Sequence, residues 1–265
     1  MIAERAAAEC CTICLNMTPE NAAAVQPEPA GMGEFSRIVG VFFEPAKTFG
    51  DIAQRPSWIL PMILAILAGL GFAMAVGQRV GWERIVHQQM DASSRMQQMP
   101  AAQRDQTLAL QVKIMPVTFY AGAVLGAPVV SVIVAAVLLG ITAIMSAGLR
   151  FKQVFAAVVW SGLPRMIAAI LTIVVIFLKN PDDFNLRNPL AFNPGAFMDP
   201  NSGSKFVYAL ATSLDLFTIW TLLLLATGLK AAAGKKLTFT GAFVAVFVPW
   251  AVVVLGGAAI AGAFS

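Results

Sequence analysis

The sequence predicts an all-α integral membrane protein, with five transmembrane helices preceded by an N-terminal interfacial amphipathic helix, and three observations carry that expectation. Apolar residues make up 58% of the 265-residue chain and charged residues only 12%, against roughly a quarter charged in soluble domains. Mean hydropathy is +0.76, and 18 Lys and Arg with 14 Asp and Glu are too few to cover a water-soluble surface of this size. Finally, five runs almost free of charge are each long enough, at about 1.5 Å per residue, to cross roughly 30 Å of hydrocarbon. The net charge of +4 and pI near 9.1 do not indicate nucleic acid, because the basic residues are scattered and no aromatic and Arg cluster forms a binding face.

The first span covers residues 58–77, with Trp58 as an interfacial anchor and Pro61 in the opening turn, where a missing N–H costs little. The second covers residues 117–147 and exceeds what a bilayer requires, so it should tilt, kink at Pro128 or begin outside the hydrocarbon. The third covers 154–178 and is interrupted by Gly162 and Pro164; the fourth covers 207–229; the fifth covers 240–264 with Pro249 inside it. Gly122 with Gly126 in span two, and Ala258 with Gly262 in span five, have the small-residue spacing that allows close backbone approach.

An odd number of crossings puts the two termini on opposite sides. Arg150 and Lys152, then Lys230, Lys235 and Lys236, fall in very short connections, while the other basic residues are spread over longer ones that also carry acids. Density of Lys and Arg therefore predicts a cytoplasmic N-terminus and an outside C-terminus in the cell inner membrane.

Residues 1–32 lack apolar periodicity and are expected to be disordered. Cys11 and Cys14 have half the spacing of a zinc ribbon, but Val25 and Glu28 stand where a second pair would fall, so a vestigial, metal-free half motif is expected. Residues 33–56 are amphipathic: Phe35, Ile38, Val39, Phe42 and Phe43 recur at helical spacing, and Pro45 restarts a helix carrying Phe49 and Ile52. This stripe could rest in the headgroup region or pack on the bundle. Residues 57–265 form the five-helix domain. Between spans one and two, residues 81–113 suggest two outer helices broken at Pro100; Met90, Met96 and Met99 there read as adaptable apolar contacts rather than a copper site. His87 is the sole histidine and reads as a surface residue.

Two ionisable residues fall inside spans, Arg165 in the third and Asp215 in the fourth. Both are expensive there and call for an internal or watery environment. Their similar distances from the inner-surface lysines predict a structural Arg165–Asp215 pair, with a polar path for an ion or proton as the alternative. No H-E-x-x-H, P-loop or activated serine is present, so neither an enzyme nor a cofactor is expected.

The run from Phe43 to Trp58, leading into Pro61 and an apolar span, resembles the opening of the Yip domain family, the Ypt/Rab-interacting membrane proteins, in its bacterial branch. A second match lies in span four, where Asp215, Trp220 and Gly228 are similar to that family's Asp-x-Phe-x-x-Trp and terminal Gly signature. The resemblance covers Phe35 to the C-terminus and implies a five-span bundle with a cytosolic N-terminus. Eukaryotic members bind prenylated GTPases, a partner that does not carry over to this short N-terminal segment. The resulting expectation is a non-catalytic, lipid-embedded protein that organises or recruits protein partners or assembles with itself, the alternative being a small transporter or channel component using Asp215 and Arg165.

Overall fold

In the computed structural model, residues 31–91, 93, 96, 98–181, 184, 186, 188–198 and 204–263 are described. The half motif at Cys11 and Cys14 lies outside them. Two short helices come first, α1 (Glu34–Phe43) and α2 (Pro45–Gln54). Pro45 opens α2 at the one place where its missing N–H is free, and this divides a single amphipathic stretch into a helical hairpin.

Five helical segments long and apolar enough to cross a membrane follow, at Ile59–Val80, Ala101–Ile144, Phe151–Leu178, Leu216–Lys236 and Phe239–Ala263. The first is α3 (Ile59–Ala75) widened into a π turn over Val76–Val80. Gly81, at φ 87°, ends it in a conformation that favours glycine. The ring of Trp82 folds back so closely that a Cβ on Gly77 would sit 2.7 Å from it. Helix α4 (Trp82–Asp91) follows.

The second span departs from expectation at its start. Helix α5 (Ala101–Ile144) is 44 residues long, roughly 66 Å at 1.5 Å per residue and about twice the hydrocarbon thickness. The predicted second outer helix is therefore the N-terminal extension of the span itself, continuous through Pro116 and Pro128. The third span is broken where Gly162 and Pro164 predicted, into α6 (Phe151–Ser161) and α7 (Leu163–Leu178).

The fourth span also begins later than expected. Residues 205–213 form a separate helix, α8 (Lys205–Ser213), and the chain turns at Leu214 before α9 (Leu216–Ala233) starts with Asp215 as its N-cap. Asp215 thus belongs to a helix start, not to the middle of a span. The last helix, α10 (Phe239–Ala263), contains Pro249 as predicted.

The core gathers side chains from every span: Met62 on α3, Leu138 on α5, Phe155 on α6, Leu225 and Leu229 on α9, and Val246 on α10. The outer faces of α5 and α10 stay apolar and uncovered, as with Val129, Ile133, Val252 and Val253, the arrangement of a bundle solvated by lipid tails. Of the two small-residue pairs, Ala258 is buried and Gly262 lies against Phe206 of α8. A Cβ at Gly122 or Gly126 would meet nothing within 4 Å, so neither glycine is needed for a close approach within the chain; that approach to α3 is made one residue after Gly122, where a Cβ on Gly69 would lie 3.2 Å from the Ala123 carbonyl oxygen.

Candidate functional site: a clasped hairpin and a polar cavity

Two places bring functional side chains together, one along the side of α9 and one at its N-terminus. Trp220, Leu224 and Gly228 recur every four residues and form one ridge of that helix. Against the ridge lie α1 and α2. Trp220 meets Phe42 edge to face, with ring centroids 5.4 Å apart. Leu224 is buried with Val41, Phe49, Ile52 and Trp160. At Gly228 the approach is closest: a Cβ there would stand 2.9 Å from Cβ of Ala157 on α6 and 3.0 Å from the Phe49 ring. Gly228 is therefore the socket that lets Phe49, 1% exposed, enter between α9 and α6.

The question left open by the amphipathic pattern, headgroup region or bundle, is answered residue by residue. Ile38, Val41 and Phe42 face the bundle and Phe49 and Ile52 are buried in it, whereas Phe35, Val39 and Phe43 are exposed. Phe42 and Phe49 are thus packing residues, whereas Phe35 and Phe43 of the same stripe keep outward faces. Trp58 stays partly exposed beside Phe155, ring centroids 5.3 Å apart.

Polar bonds fix the hairpin as firmly as the apolar ones. Arg37, 3% exposed, donates from Nε to Asp51 Oδ2 at 2.7 Å and from Nη1 to Ser57 Oγ at 2.6 Å and Glu34 Oε1 at 3.1 Å. Its Nη2 donates to the Arg55 carbonyl at 3.2 Å. The guanidinium fork is thereby shared among α1, α2 and the segment leading to α3, the kind of multidentate use that Lys cannot supply. From α6, Trp160 Nε1 donates to the Ser57 carbonyl at 2.8 Å and Gln153 Nε2 to the Ala53 carbonyl at 3.1 Å. Sequence reading missed this network. Its signal was present as Glu34 and Arg37 one turn apart on a stripe otherwise buried. An exposed ion pair on the same hairpin, Lys47 with Glu44 at 2.8 Å, holds the Lys47 ammonium above its ordinary pKa through the hydrogen bond and charge of Glu44.

At the N-terminus of α9, Asp215 caps the helix. Its Oδ1 accepts from the backbone N–H groups of Phe217 and Thr218, both at 3.0 Å, and its Oδ2 accepts from the Thr218 hydroxyl. The segment ahead of α8 is stitched to this cap. Leu216 N–H donates to the Phe192 carbonyl at 3.2 Å, the Phe192 and Phe217 rings meet edge to face, and the amides of Asn188 and Asn193 pair at 2.8 Å. Between this segment, α3, α7 and α9 opens a cavity of about 330 Å³ whose lining includes both Arg165 and Asp215. The two share the cavity as their depths suggested, yet among the described residues no ion pair joins them within 4 Å. The predicted direct pairing is corrected for a physical reason: the late start of α9 commits the Asp215 carboxylate to capping, and Arg165 is left exposed on the cavity wall.

Elsewhere, Met90 is buried as an apolar contact, and His87 is half exposed, 3.9 Å from Glu83. Among the described residues no cluster of three or more His, Cys, Asp or Glu could hold a metal.

The family model described as Yip1 domain matches residues 39–260, from within α1 to the last turn of α10. No curated protein and no solved structure matches the chain. Since the matched stretch runs from the second half of α1 through α2 and the first four spans to the last turn of α10, most of the chain, the chain belongs to the Yip1 domain family.

Proposed function

We propose that this membrane protein is non-catalytic and organises or recruits protein partners at the bacterial inner membrane, with its N-terminus cytoplasmic and its C-terminus outside. The observation that carries the reading is the hairpin itself. It is clamped by Arg37 and by the Phe49 socket, yet it turns Phe35, Val39 and Phe43 outward, 78%, 58% and 81% exposed. An apolar face held rigidly on a scaffold is a suitable docking surface, because little order has to be imposed when a partner or the headgroup region meets it. The orientation is supported by charge. The connection around Gly148 lies against Lys236, and α6, which starts next to Arg150, is bonded to the end of α2. The short basic connections and the hairpin therefore share one end of the bundle, which the positive-inside tendency assigns to the cytoplasm.

Crosslinking in native membranes, followed by purification and mass spectrometry, tests the recruiting role. The expected result is a recurrent near-stoichiometric partner that is lost with Phe35→Ser and Phe43→Ser, whose outward positions leave the fold intact. Recovery of the chain alone, or of the same partners with the double variant, removes the reading. A second reading, a small transporter or channel component, rests on the cavity that Arg165 and Asp215 share. Solute flux into liposomes that depends on Asp215 would favour it.

A further inference from the structure

Arg165 is a charged group well inside a span for which the fold supplies no carboxylate partner among the described residues. It stands 14 residues into a span that begins at Phe151, roughly 21 Å along the helix at 1.5 Å per residue. At that depth a charge requires a partner or water. Among the described residues it forms no ion pair, and the one carboxylate lining its cavity already accepts two backbone N–H groups and a hydroxyl at the positive end of α9. A cavity of about 330 Å³ falls within the range of small-ligand sites, roughly 300 to 1,000 Å³. Its wall combines the guanidinium with the Asn188 and Asn193 amides and with apolar Phe72, Leu190 and Phe192.

We infer that this cavity binds a phosphate-type oxyanion, with Arg165 as its principal donor. A guanidinium fork matches two oxygens of a phosphate, and such charge-assisted bonds are strongest where water is scarce. The apolar wall beside it suits the glycerol and upper acyl region of an anionic phospholipid, while a free phosphate ester would use the polar wall alone. Asp215 opposes the ligand by its charge and tunes the affinity without contributing to it.

The test uses the full chain in nanodiscs of phosphatidylcholine, with or without phosphatidylglycerol, and reads retained lipid by native mass spectrometry. Inorganic phosphate, titrated into the phosphatidylcholine nanodiscs with thermal unfolding as readout, is the second arm. Retention of phosphatidylglycerol, reduced at least about tenfold by Arg165→Gln and partly kept by Arg165→Lys, supports the site and assigns a lipid headgroup. Stabilisation by phosphate that Arg165→Gln abolishes supports the site and assigns a soluble source. Asp215→Asn, which preserves the cap, should raise affinity in whichever arm binds. Should Arg165→Gln fail to fold, Leu190→Trp fills the cavity from its apolar side and must lower binding. Equal retention by the wild type and these variants, or no anion effect in either arm, overturns the inference.

Discussion

The hairpin packed on the side of α9 and the cavity at its N-terminus handle charge in opposite ways. At the hairpin, Arg37 is almost completely buried, and its donors reach Asp51, Glu34, Ser57 and the Arg55 carbonyl. At the cavity, Arg165 is exposed on a wall whose single carboxylate is engaged in capping. One guanidinium closes a structure and the other faces an opening. Charge that is satisfied internally costs its desolvation once and then fixes geometry; charge left facing a cavity in a span retains its demand for a counterion.

The largest way to break the comparison is at its closed end. Arg37→Met should destabilise the protein by about 3–5 kcal/mol, because it removes a buried guanidinium from its bonds to Asp51, Glu34, Ser57 and the Arg55 carbonyl at once. Unfolding in mixed micelles measures this, and the same assay on Arg165→Gln should give a far smaller loss. The Phe49 socket comes next. At Gly228 a methyl gains up to about 1 kcal/mol of helix propensity but would sit 2.9 Å from Ala157 and 3.0 Å from the Phe49 ring. Gly228→Val adds bulk without much propensity and should cost about 1–3 kcal/mol. It should also increase protease cleavage within α2. A neutral Gly228→Val would mean that the hairpin is not seated there.

These cases also mark what could be read from the sequence. Five spans, the break at Gly162 and the helix restart at Pro45 follow from run length and from backbone chemistry that acts within a few residues, and all three are found. The start of α9 was misplaced because residues 206–214 carry no charge and run straight on into the span, and hydropathy does not register that Asp215 prefers to cap. Trp220 and Gly228 were marked by resemblance alone; their purpose depends on Phe42 and Phe49, more than 170 residues away in the chain. The Arg37 network is likewise long-range, joining α1, α2 and the entry to span one. Periodicity assigned Phe49 and Phe43 to one amphipathic stripe, but only the docked partner surface decides which of them is covered.

Effects should shrink at the cap. Asp215→Ala removes the acceptor for two N–H groups and should cost about 0.5–2 kcal/mol, whereas Asp215→Asn keeps an acceptor and should be close to neutral. Equal losses for the two would show that the charge matters and the hydrogen bonds do not, which would restore an electrostatic link to Arg165 across the cavity.

The smallest effect belongs to Lys47, a control for Arg37 on the same hairpin. Its ion pair with Glu44 spans 2.8 Å, but the two side chains are 70% and 58% exposed, so solvent screens most of the attraction. Glu44 raises the Lys47 pKa above 10.5. A raised pKa means that the folded state holds its proton more tightly than the unfolded one, so the contribution is fully present below the unfolded value and disappears as pH climbs through the folded one. Lys47→Met should therefore leave stability almost unchanged at neutral pH. Any small difference from wild type should persist into mild alkali, vanish only above 10.5, and fade with added salt. A large, salt-insensitive loss would mean that α2 is held by its exposed charges as well as by its buried face, and the contrast between satisfied and solvated charge would fail inside the hairpin itself.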